Sequence, residues 1–273
     1  MVGTGPARTA MNKMLRAAAK SVFAAADLPY RRRPGPRILI YHQVGSSLGR
    51  QMEVSAAAFE FQLRWLLENG SIVSLDEALE RANEPDADKL YVLTFDDGYR
   101  DVYDTAYPML AAAGVPFVLY VTTEPVDSGR AMTPGGQAEP LTWDQLSEMA
   151  EGGATVGSHT HTHPDLRGTP ADVIESELAE SDRLIEKRLG IKSEHFCYPY
   201  GYWSPTAEPL IRERYRTATL GAGPPVRPDD DQHRIHRVPI QLSDGNFFFT
   251  RKMKSGMVFE EKVRRRIAGY QGF

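Results

Sequence analysis

The amino-acid sequence predicts a single α/β domain in which parallel strands close into a barrel related to the TIM type, with helices packed outside. After Pro36, short apolar runs alternate with amphipathic stretches at least six times, and the length of 273 residues suits one barrel-sized domain. An open, doubly wound sheet is the alternative. It is disfavoured because no glycine-rich nucleotide-binding loop follows any predicted strand.

The strands are predicted from short apolar runs, and the helices from apolar residues that recur at helical spacing. The predicted strands are residues 37–42, 91–96, 115–122, 154–158, 195–201, 217–221 and 235–241, and the predicted helices are residues 58–70, 99–114, 142–153, 169–190 and 205–216. Gly70 and Gly114 end the first two helices. Thr142 is the predicted N-cap of the third helix, and Pro170 lies near the first turn of the fourth.

Polar clusters follow three of these strands. They are "TFDDG" at residues 94–98, "HTHTH" at residues 159–163 and "FCYPYG" at residues 196–201. In a parallel barrel the functional side chains gather at the carboxyl ends of the strands, so we expect the three clusters to meet. In the first of them, Gly98 permits a sharp turn after the adjacent carboxylates of Asp96 and Asp97.

The histidine cluster contains three of the seven histidines in the chain. It does not fit the zinc-protease motif HExxH, because Thr160 stands where that motif has its glutamate. Pro164 disfavours helical geometry at His163, so we expect the imidazoles on a strand end and the loop after it. Two neutral imidazoles need an anionic ligand from elsewhere. The acidic pair supplies one carboxylate for a divalent metal and leaves the other as a base.

With these three motifs the chain resembles the NodB-homology polysaccharide deacetylases, carbohydrate esterase family four. "TFDDG" matches the first motif of that family, "HTHTH" its second motif H-[ST]-x-x-H and "YPYG" the end of its third, and the resemblance extends from about residue 37 to residue 240. It implies a distorted (β/α) barrel and the metal-dependent removal of acetyl groups, above all N-acetyl, from a cell-envelope or exopolysaccharide sugar. The expected partner is therefore an N-acetylated carbohydrate, lipid-linked saccharides included, and not a nucleic acid.

The resemblance also implies roles for the residues of the first two motifs. Asp97, His159 and His163 correspond to the ligands of a divalent metal, which in the family is usually zinc. Asp96 corresponds to the catalytic base. His161 matches a variable position and is not a predicted ligand.

The third motif implies the groups that meet the substrate. The backbone N–H of Tyr200, held by Pro199 and Gly201, corresponds to the donor that stabilises the oxyanion. Tyr202 and Trp203 follow this motif and, together with Pro199, are the predicted substrate-binding residues.

Two departures from the family pattern concern the base and the acid. Cys197 stands where the family commonly has an arginine that orients the base, and Arg237 is the candidate replacement. The fifth family motif, L-x-L-x-H, is imperfect in this chain. His236 is therefore the predicted general acid, with His233 or neither histidine as the alternatives.

Two other functions are compatible with parts of the sequence. Two histidines and one carboxylate also form the iron site of a class of oxygenases, but that site usually arises on a double-stranded β fold, which the alternating helices oppose. The other is a catalytically silent carbohydrate-binding protein that keeps the motifs as relics. The presence of Asp96 together with all three presumed ligands opposes this second alternative.

The two ends of the chain are basic although the net charge is −4: residues 1–33 contain seven Lys and Arg against one Asp, and residues 251–273 contain seven against two Glu. We therefore divide the chain into a basic amphipathic segment 1–33, a deacetylase barrel 34–250 and a basic C-terminal helix or tail 251–273. No apolar run is long enough for a membrane span, and Lys20 interrupts the apolar stretch near the start, so no secretory signal is expected. We expect a cytoplasmic protein. Its basic ends are either solvated terminal helices or basic amphipathic segments that attach peripherally to the anionic inner face of the membrane.

Removal of residues 1–33 is expected to lower binding to anionic vesicles, because each basic residue near such a surface contributes about 1 kcal/mol of attraction. Vesicle cosedimentation at two salt concentrations measures this effect, since salt screens the charges. If the segment only packs on the barrel, truncation lowers thermal stability without changing vesicle binding, and the membrane role is then wrong.

Overall fold

Seven parallel strands form a closed barrel, which confirms the predicted fold class. The structure, a computed structural model, describes residues 34–46, 48–132 and 138–255. Its strands are β1 (Arg37–Tyr41), β2 (Gln43–Val44), β3 (Glu53–Val54), β4 (Ser71–Ile72), β5 (Leu90–Asp97), β6 (Phe117–Val121), β7 (Ala154–Ser158), β8 (His195–Cys197), β9 (Thr217–Ala222) and β10 (Ile235–Pro239). Its α-helices are α1 (Ala56–Asn69), α2 (Leu75–Glu80), α3 (Tyr107–Ala113), α4 (Thr123–Ser128), α5 (Trp143–Glu151), α6 (Ala171–Leu189), α7 (Glu208–Arg214) and α8 (Gly245–Ser255).

The barrel is closed by β1, which pairs with β5 on one side and with β10 on the other. The order around the barrel is β1, β5, β6, β7, β8, β9 and β10, with parallel pairing throughout. The short β4 pairs with the start of β5, and β2 pairs with β3 in a separate two-stranded sheet. The barrel thus has one strand fewer than the TIM type. Because its strands are parallel, all of them end at the same rim.

Side chains along β5 alternate between the inside of the barrel and the surrounding helices. Val92 packs in the inner cluster with Tyr120, whereas Phe95 lies in the outer cluster, where its ring centroid is 6.0 Å from that of Phe59 in α1. Because both faces are covered, such strands are nearly continuous apolar runs. Thr94 and then Asp96 follow on the inward side, and Asp96 is 3% exposed. The alternation of side chains along β5, which places Val92 inside the barrel, therefore also places the carboxylate of Asp96 there.

The barrel wall has no room for a side chain at Gly157 of β7. A Cβ atom at this position would lie 2.7 Å from Cδ1 of Tyr120 and 2.8 Å from the carbonyl oxygen of His195. A buried ring and a strand carbonyl cannot readily move aside in a close-packed core. Gly157 therefore allows β6, β7 and β8 to approach closely just before the histidine cluster.

The helix predicted at 99–114 begins irregularly. Val102–Ala106 forms a π-helical turn, and α3 follows it. Pro108 explains the irregularity, because it has no amide hydrogen for the carbonyl four residues earlier and its ring crowds that carbonyl. Gly114 ends α3 in the left-handed region, with φ of 62°.

The predicted start of α5 is confirmed. The side chain of Thr142 accepts from the backbone N–H of Gln145, and the side chain of Gln145 accepts from the backbone N–H of Thr142. Pro170 is the N-cap of α6, directly before the first turn, which confirms its predicted place near that turn. The elements β2, β3, β4, α2 and α4 were not predicted, because they are too short to show a hydrophobic period.

The predicted terminal segments lie mostly outside the described residues. Segment 1–33 is outside them, and of 251–273 only residues 251–255 are described, as the end of α8. In this helix Lys252 is buried, and its Nζ donates to the carbonyl oxygen of Pro239 and to the carboxylate of Asp244, each at 2.8 Å. No helix within the described ranges is both long and apolar enough to cross a membrane. The membrane contact of the two ends stays a prediction.

Candidate metal centre and active site

The rim at the carboxyl ends of the strands surrounds a cavity of about 550 Å³. This cavity is lined by residues of the first two motifs, which contain the presumed metal ligands. Residues that follow β1, β8 and β10 line it as well. The polar side chains that line it are His42, Gln43, Arg50, Gln51, Asp96, Asp97, Tyr99, His159, His163, Tyr200, Tyr202, Arg237 and Gln241.

Three of these side chains form a compact triangle. The Nε2 atoms of His159 and His163 lie 3.2 Å apart, and Oδ1 of Asp97 lies 3.4 Å from the first and 3.5 Å from the second. A tetrahedral zinc ion with bonds of about 2.0–2.1 Å holds its ligand atoms roughly 3.3 Å apart. The three predicted ligands therefore fit such an ion, and three is the number of protein ligands that catalytic zinc sites use.

The backbone around this triangle is strained. Among the described residues, four that are not glycine have a positive φ: Asp97 at 75°, Thr160 at 67°, His163 at 62° and Tyr200 at 60°. Such conformations cost on the order of 1–3 kcal/mol each and collect at functional sites. All four residues belong to the three strand-end motifs. Gly98, at φ of 92°, completes the sharp turn expected after Asp97.

The two histidines of the triangle are oriented by different neighbours. Nδ1 of His159 lies 2.7 Å from the carbonyl oxygen of Cys197, which places the proton on Nδ1 and turns Nε2 toward the triangle. The ring of His163 packs edge-on against the ring of Tyr200, with 4.6 Å between centroids. Each imidazole therefore has one nitrogen directed at the triangle and a fixed ring plane.

The middle histidine of the cluster does not join the triangle. Nδ1 of His161 lies 3.0 Å from Oγ1 of Thr123, at the start of α4, and His161 does not line the cavity. This placement agrees with its omission from the predicted ligands.

The pKa shifts of Asp97 and His163 favour an ionised carboxylate and a neutral imidazole, which suit a bound cation. Burial opposes ionisation of Asp97, but the hydrogen bond with His159 and the nearby imidazole charges hold the pKa of this carboxyl well below its usual value. Burial lowers the pKa of His163 to about 4, and the charge of His159 acts in the same direction. Burial also opposes protonation of His159, yet its contacts with Cys197 and Asp97 raise its pKa above the ordinary value. A cation that binds here displaces the proton of His159.

Arg237 of β10 holds the predicted base. Its Nη1 donates to Oδ1 of Asp96 and its Nη2 donates to Oδ2, each at 2.7 Å. The guanidinium is 1% exposed and also donates to the carbonyl oxygen of Leu220 at 2.9 Å. Burial alone would raise the pKa of Asp96, but the charge and hydrogen bonds of Arg237 hold it below its ordinary value. Arg237 thus forms the bidentate pair expected of the arginine that the third motif lacks.

A second group of metal-binding side chains lies deeper in the barrel. Asp96, His159 and Cys197 offer ligand atoms within 4.8 Å of one another. Nη2 of Arg237 bonds both the Asp96 carboxylate and, at 2.9 Å, the Cys197 sulfur. The guanidinium therefore already provides the positive charge at this place, and the group does not suit a metal ion.

The predicted substrate-binding residues lie on two sides of the third-motif turn. Tyr200 and Tyr202 line the cavity, their rings stack with 6.0 Å between centroids, and Tyr200 is 58% exposed. Pro199 is buried in the turn, and Trp203 donates from Nε1 to Glu208 of α7 at 3.0 Å. Neither of them lines the cavity. The structure therefore separates Pro199 and Trp203 from Tyr200 and Tyr202, and a contact of the first two with the substrate stays a prediction.

The structure does not bring the predicted acid to the cavity. His236 and Arg237 are neighbours on β10, so their side chains point to opposite faces of the barrel wall. Arg237 takes the inner face, and His236 does not line the cavity. His233 is also remote, with its Nε2 2.8 Å from the carbonyl oxygen of Tyr215. His236 is therefore not among the cavity residues, and its role as the acid stays a prediction.

His42 is a cavity histidine that lies outside the triangle and to which the sequence analysis assigned no role. It follows β1 directly and lines the same cavity as Asp96. Its Nδ1 is buried and has no hydrogen-bond partner in the part of the chain that the structure describes. The signal was present in the sequence, since His42 follows an apolar strand in the same way as His159 does.

Comparisons with known proteins agree with this geometry. Residues 83–217 match the family model described as polysaccharide deacetylase. The Bacillus subtilis protein YxkH, which bears the name of a polysaccharide deacetylase, is 29% identical over 208 residues that cover 74% of this chain and 70% of that protein. A poly-β-1,6-N-acetyl-D-glucosamine N-deacetylase of Staphylococcus epidermidis is 24% identical, over 72% of this chain and 71% of that protein.

A solved structure extends the similarity to three dimensions. The deacetylase PplD of Streptococcus pyogenes, solved in complex with acetate, superimposes with a TM-score of 0.69 and 26% identity, over 82% of this chain and 99% of that one. An iron oxygenase and a silent carbohydrate-binding protein are not supported by these matches. The barrel, the strand-end carboxylates and histidines, and the matched sequence lead to one conclusion: this chain is a hydrolase that removes acetyl groups from carbohydrate, and its sequence and fold match those of the polysaccharide deacetylases, which are metalloenzymes.

Proposed function

We propose that the chain is a zinc-dependent N-deacetylase of an exopolysaccharide built from β-1,6-linked N-acetylglucosamine. The observation that carries the proposal is the triangle of Asp97, His159 and His163 beside the arginine-bound Asp96 in one cavity. The Staphylococcus epidermidis relative, whose name gives this polymer, supports the choice of substrate. A polymer also suits a site at the rim of the barrel, where Tyr200 is largely exposed.

Asp97, His159 and His163 would hold the metal. One carboxylate and two imidazoles are a donor set that zinc accepts in hydrolytic sites. When bound, zinc lowers the pKa of water and polarises an acyl carbonyl as a Lewis acid. The three side chains need no partner from outside the described chain to complete this set.

Asp96 is the proposed base that accepts the proton of the attacking water. A carboxylate that is 3% exposed stays ionised only if a partner compensates its charge, and Arg237 does so with two hydrogen bonds. Each carboxylate oxygen has two acceptor positions, of which Arg237 uses one. The thiol of Cys197 donates to Oδ2 at 3.6 Å and uses its second position, so the free position is on Oδ1. The pair therefore fixes the direction of the carboxylate and leaves acceptor capacity for a proton.

The remaining cavity residues are proposed to serve the leaving group and the sugar. His42 is the proposed acid that protonates the departing amine, because it is the cavity histidine outside the ligand triangle. Tyr200 keeps its left-handed conformation in the turn, and its backbone N–H remains the proposed oxyanion donor. The largely exposed ring of Tyr200 offers an apolar surface for a sugar ring, and Tyr202, whose ring lies under the guanidinium of Arg167, lines the cavity beside it.

Replacement of Asp97, His159 or His163 by Ala should remove most of the bound zinc, because each residue supplies one of three ligand atoms. The zinc content of the purified variants, measured by elemental analysis, tests this expectation. His161→Ala is the matched control, since it changes the same loop outside the triangle, and it should bind zinc normally. An equal loss of zinc from the control contradicts the ligand assignment.

The purified protein with zinc should release acetate from β-1,6-linked N-acetylglucosamine oligomers. Asp96→Asn should retain zinc and a native circular dichroism spectrum but lose about 10²- to 10⁴-fold in turnover, as expected for a lost general base. Oligomers with β-1,4 linkage are the control for the substrate. Acetate release from the β-1,4 oligomers alone overturns the proposed polymer, and a fully active Asp96→Asn enzyme overturns the proposed base.

His42→Ala and His236→Ala should differ in turnover, because only the first side chain lines the cavity. We expect His42→Ala to lower kcat by about 10²-fold or more with unchanged zinc content, and His236→Ala to resemble the wild type. Steady-state kinetics on the same oligomers measure both. If His236→Ala shows the larger loss, the acid acts from the outer face of β10 and the role of His42 is wrong.

A further inference from the structure

The loop that carries His163 has no helix or strand of its own. His159 follows β7 directly, but His163 comes four residues later, after a left-handed residue at Thr160, and is itself left-handed. A ligand side chain must be held to within about 0.5 Å of its productive position. Contacts from neighbouring elements must therefore hold this loop.

One side of the loop is held by the start of α4. The backbone N–H of Thr123 donates to the carbonyl oxygen of Thr160 at 3.3 Å, and that of Glu124 donates to the carbonyl oxygen of His161 at 2.8 Å. These bonds satisfy carbonyl groups of the loop. The amide groups on its other side, at His161 and Thr162, need acceptors from elsewhere.

Glu177 of α6 supplies both of those acceptors. Its Oε2 accepts from the backbone N–H of His161 at 2.9 Å and from that of Thr162 at 2.7 Å. Its Oε1 accepts from the hydroxyl of Thr162 at 2.6 Å. Hydrogen bonds to an ionised acceptor are about twice as strong as neutral ones. One carboxylate thus binds two consecutive residues between the two histidine ligands.

The helix that carries Glu177 is itself firmly packed. Ile174 and Leu178, on either side of Glu177 along α6, are both 0% exposed in the core. Glu177 does not line the cavity, so it contacts neither the substrate nor the reacting atoms. Any influence on the metal must pass through the loop.

We propose that Glu177 is a positioning residue for the metal site: its carboxylate fixes residues 161–162 and thereby sets the place of the His163 imidazole. This inference rests on the proposed metal-dependent function. Glu177→Ala removes all three hydrogen bonds, whereas Glu177→Gln removes only the negative charge, because its amide oxygen can take the place of Oε2 and the Thr162 hydroxyl can accept from its amide group. The two variants therefore weaken the contact between Glu177 and the loop to different extents.

Zinc affinity of the full-length, metal-free protein, measured by chelator competition, tests the proposal. We expect the dissociation constant to rise about 10- to 100-fold in Glu177→Ala, the range typical for partners that orient a ligand, and less in Glu177→Gln. The unfolding temperature of the metal-free variants should stay close to that of the wild type. Glu180→Gln is the matched control, because Glu180 lies one turn away on α6 and binds Arg183 at the surface, and it should bind zinc normally.

The outcomes separate this inference from the proposed function. Unchanged zinc affinity in both Glu177 variants overturns the role of Glu177 and leaves the proposed function standing, because the wild type still binds zinc. Absence of zinc binding by the wild type overturns both. A fall in zinc affinity that is matched by a large fall in the unfolding temperature of the metal-free protein assigns Glu177 to general stability and also overturns the positioning role.

Discussion

Closure of the parallel sheet through β1 is the constraint on which the site depends. Because β1 pairs with β5 on one edge and with β10 on the other, all seven strands of the barrel end at one rim. His42, Asp97, His159 and Tyr200 follow or end four different strands and still line one cavity. In an open sheet with the same strand order, β5 and β10 would lie far apart, and Arg237 would not reach Asp96. Barrel closure therefore determines both the fold and the grouping of these side chains in one cavity.

Barrel closure also forms the pair of Asp96, the proposed base, and Arg237. Two buried charges are stabilising together only when their geometry is good, and removal of one partner typically costs about 3–5 kcal/mol. Here the pair is bidentate, and the guanidinium has further acceptors in the carbonyl oxygen of Leu220 and the hydroxyl of Thr94. The small side chain of Cys197, 2.9 Å from Nη2, leaves the space that the guanidinium fills. An arginine from β10 thus stands in for the arginine of the third family motif.

The two proposed histidine ligands are held in place by different kinds of contact. His159 continues a strand, is 2% exposed and is held by the carbonyl oxygen of Cys197. The side chain of His163 is 24% exposed and lies on a strained loop between α4 and α6. Strained backbone persists only where the surroundings determine it, and here the surroundings include the carboxylate of Glu177. In the proposed role of Glu177, the metal affinity of the site therefore depends also on a residue that does not line the cavity.

The sequence by itself determined the alternation of strands and helices, the turn at Gly98, the cap at Thr142 and the order of the three motifs at strand ends, because each depends on residues close together in the chain. The sequence offered Arg237 only as a candidate partner of Asp96, because the two residues are 141 positions apart and meet through barrel closure alone. The tertiary structure decided which side chains face the cavity. His236 was predicted to be the acid, but Arg237 beside it takes the inner face of β10, and neighbours on a strand point opposite ways. His42 lines the cavity and Trp203 does not. The direction of neither side chain is readable from the sequence, because it is set by the register and closure of the barrel, which no local pattern contains.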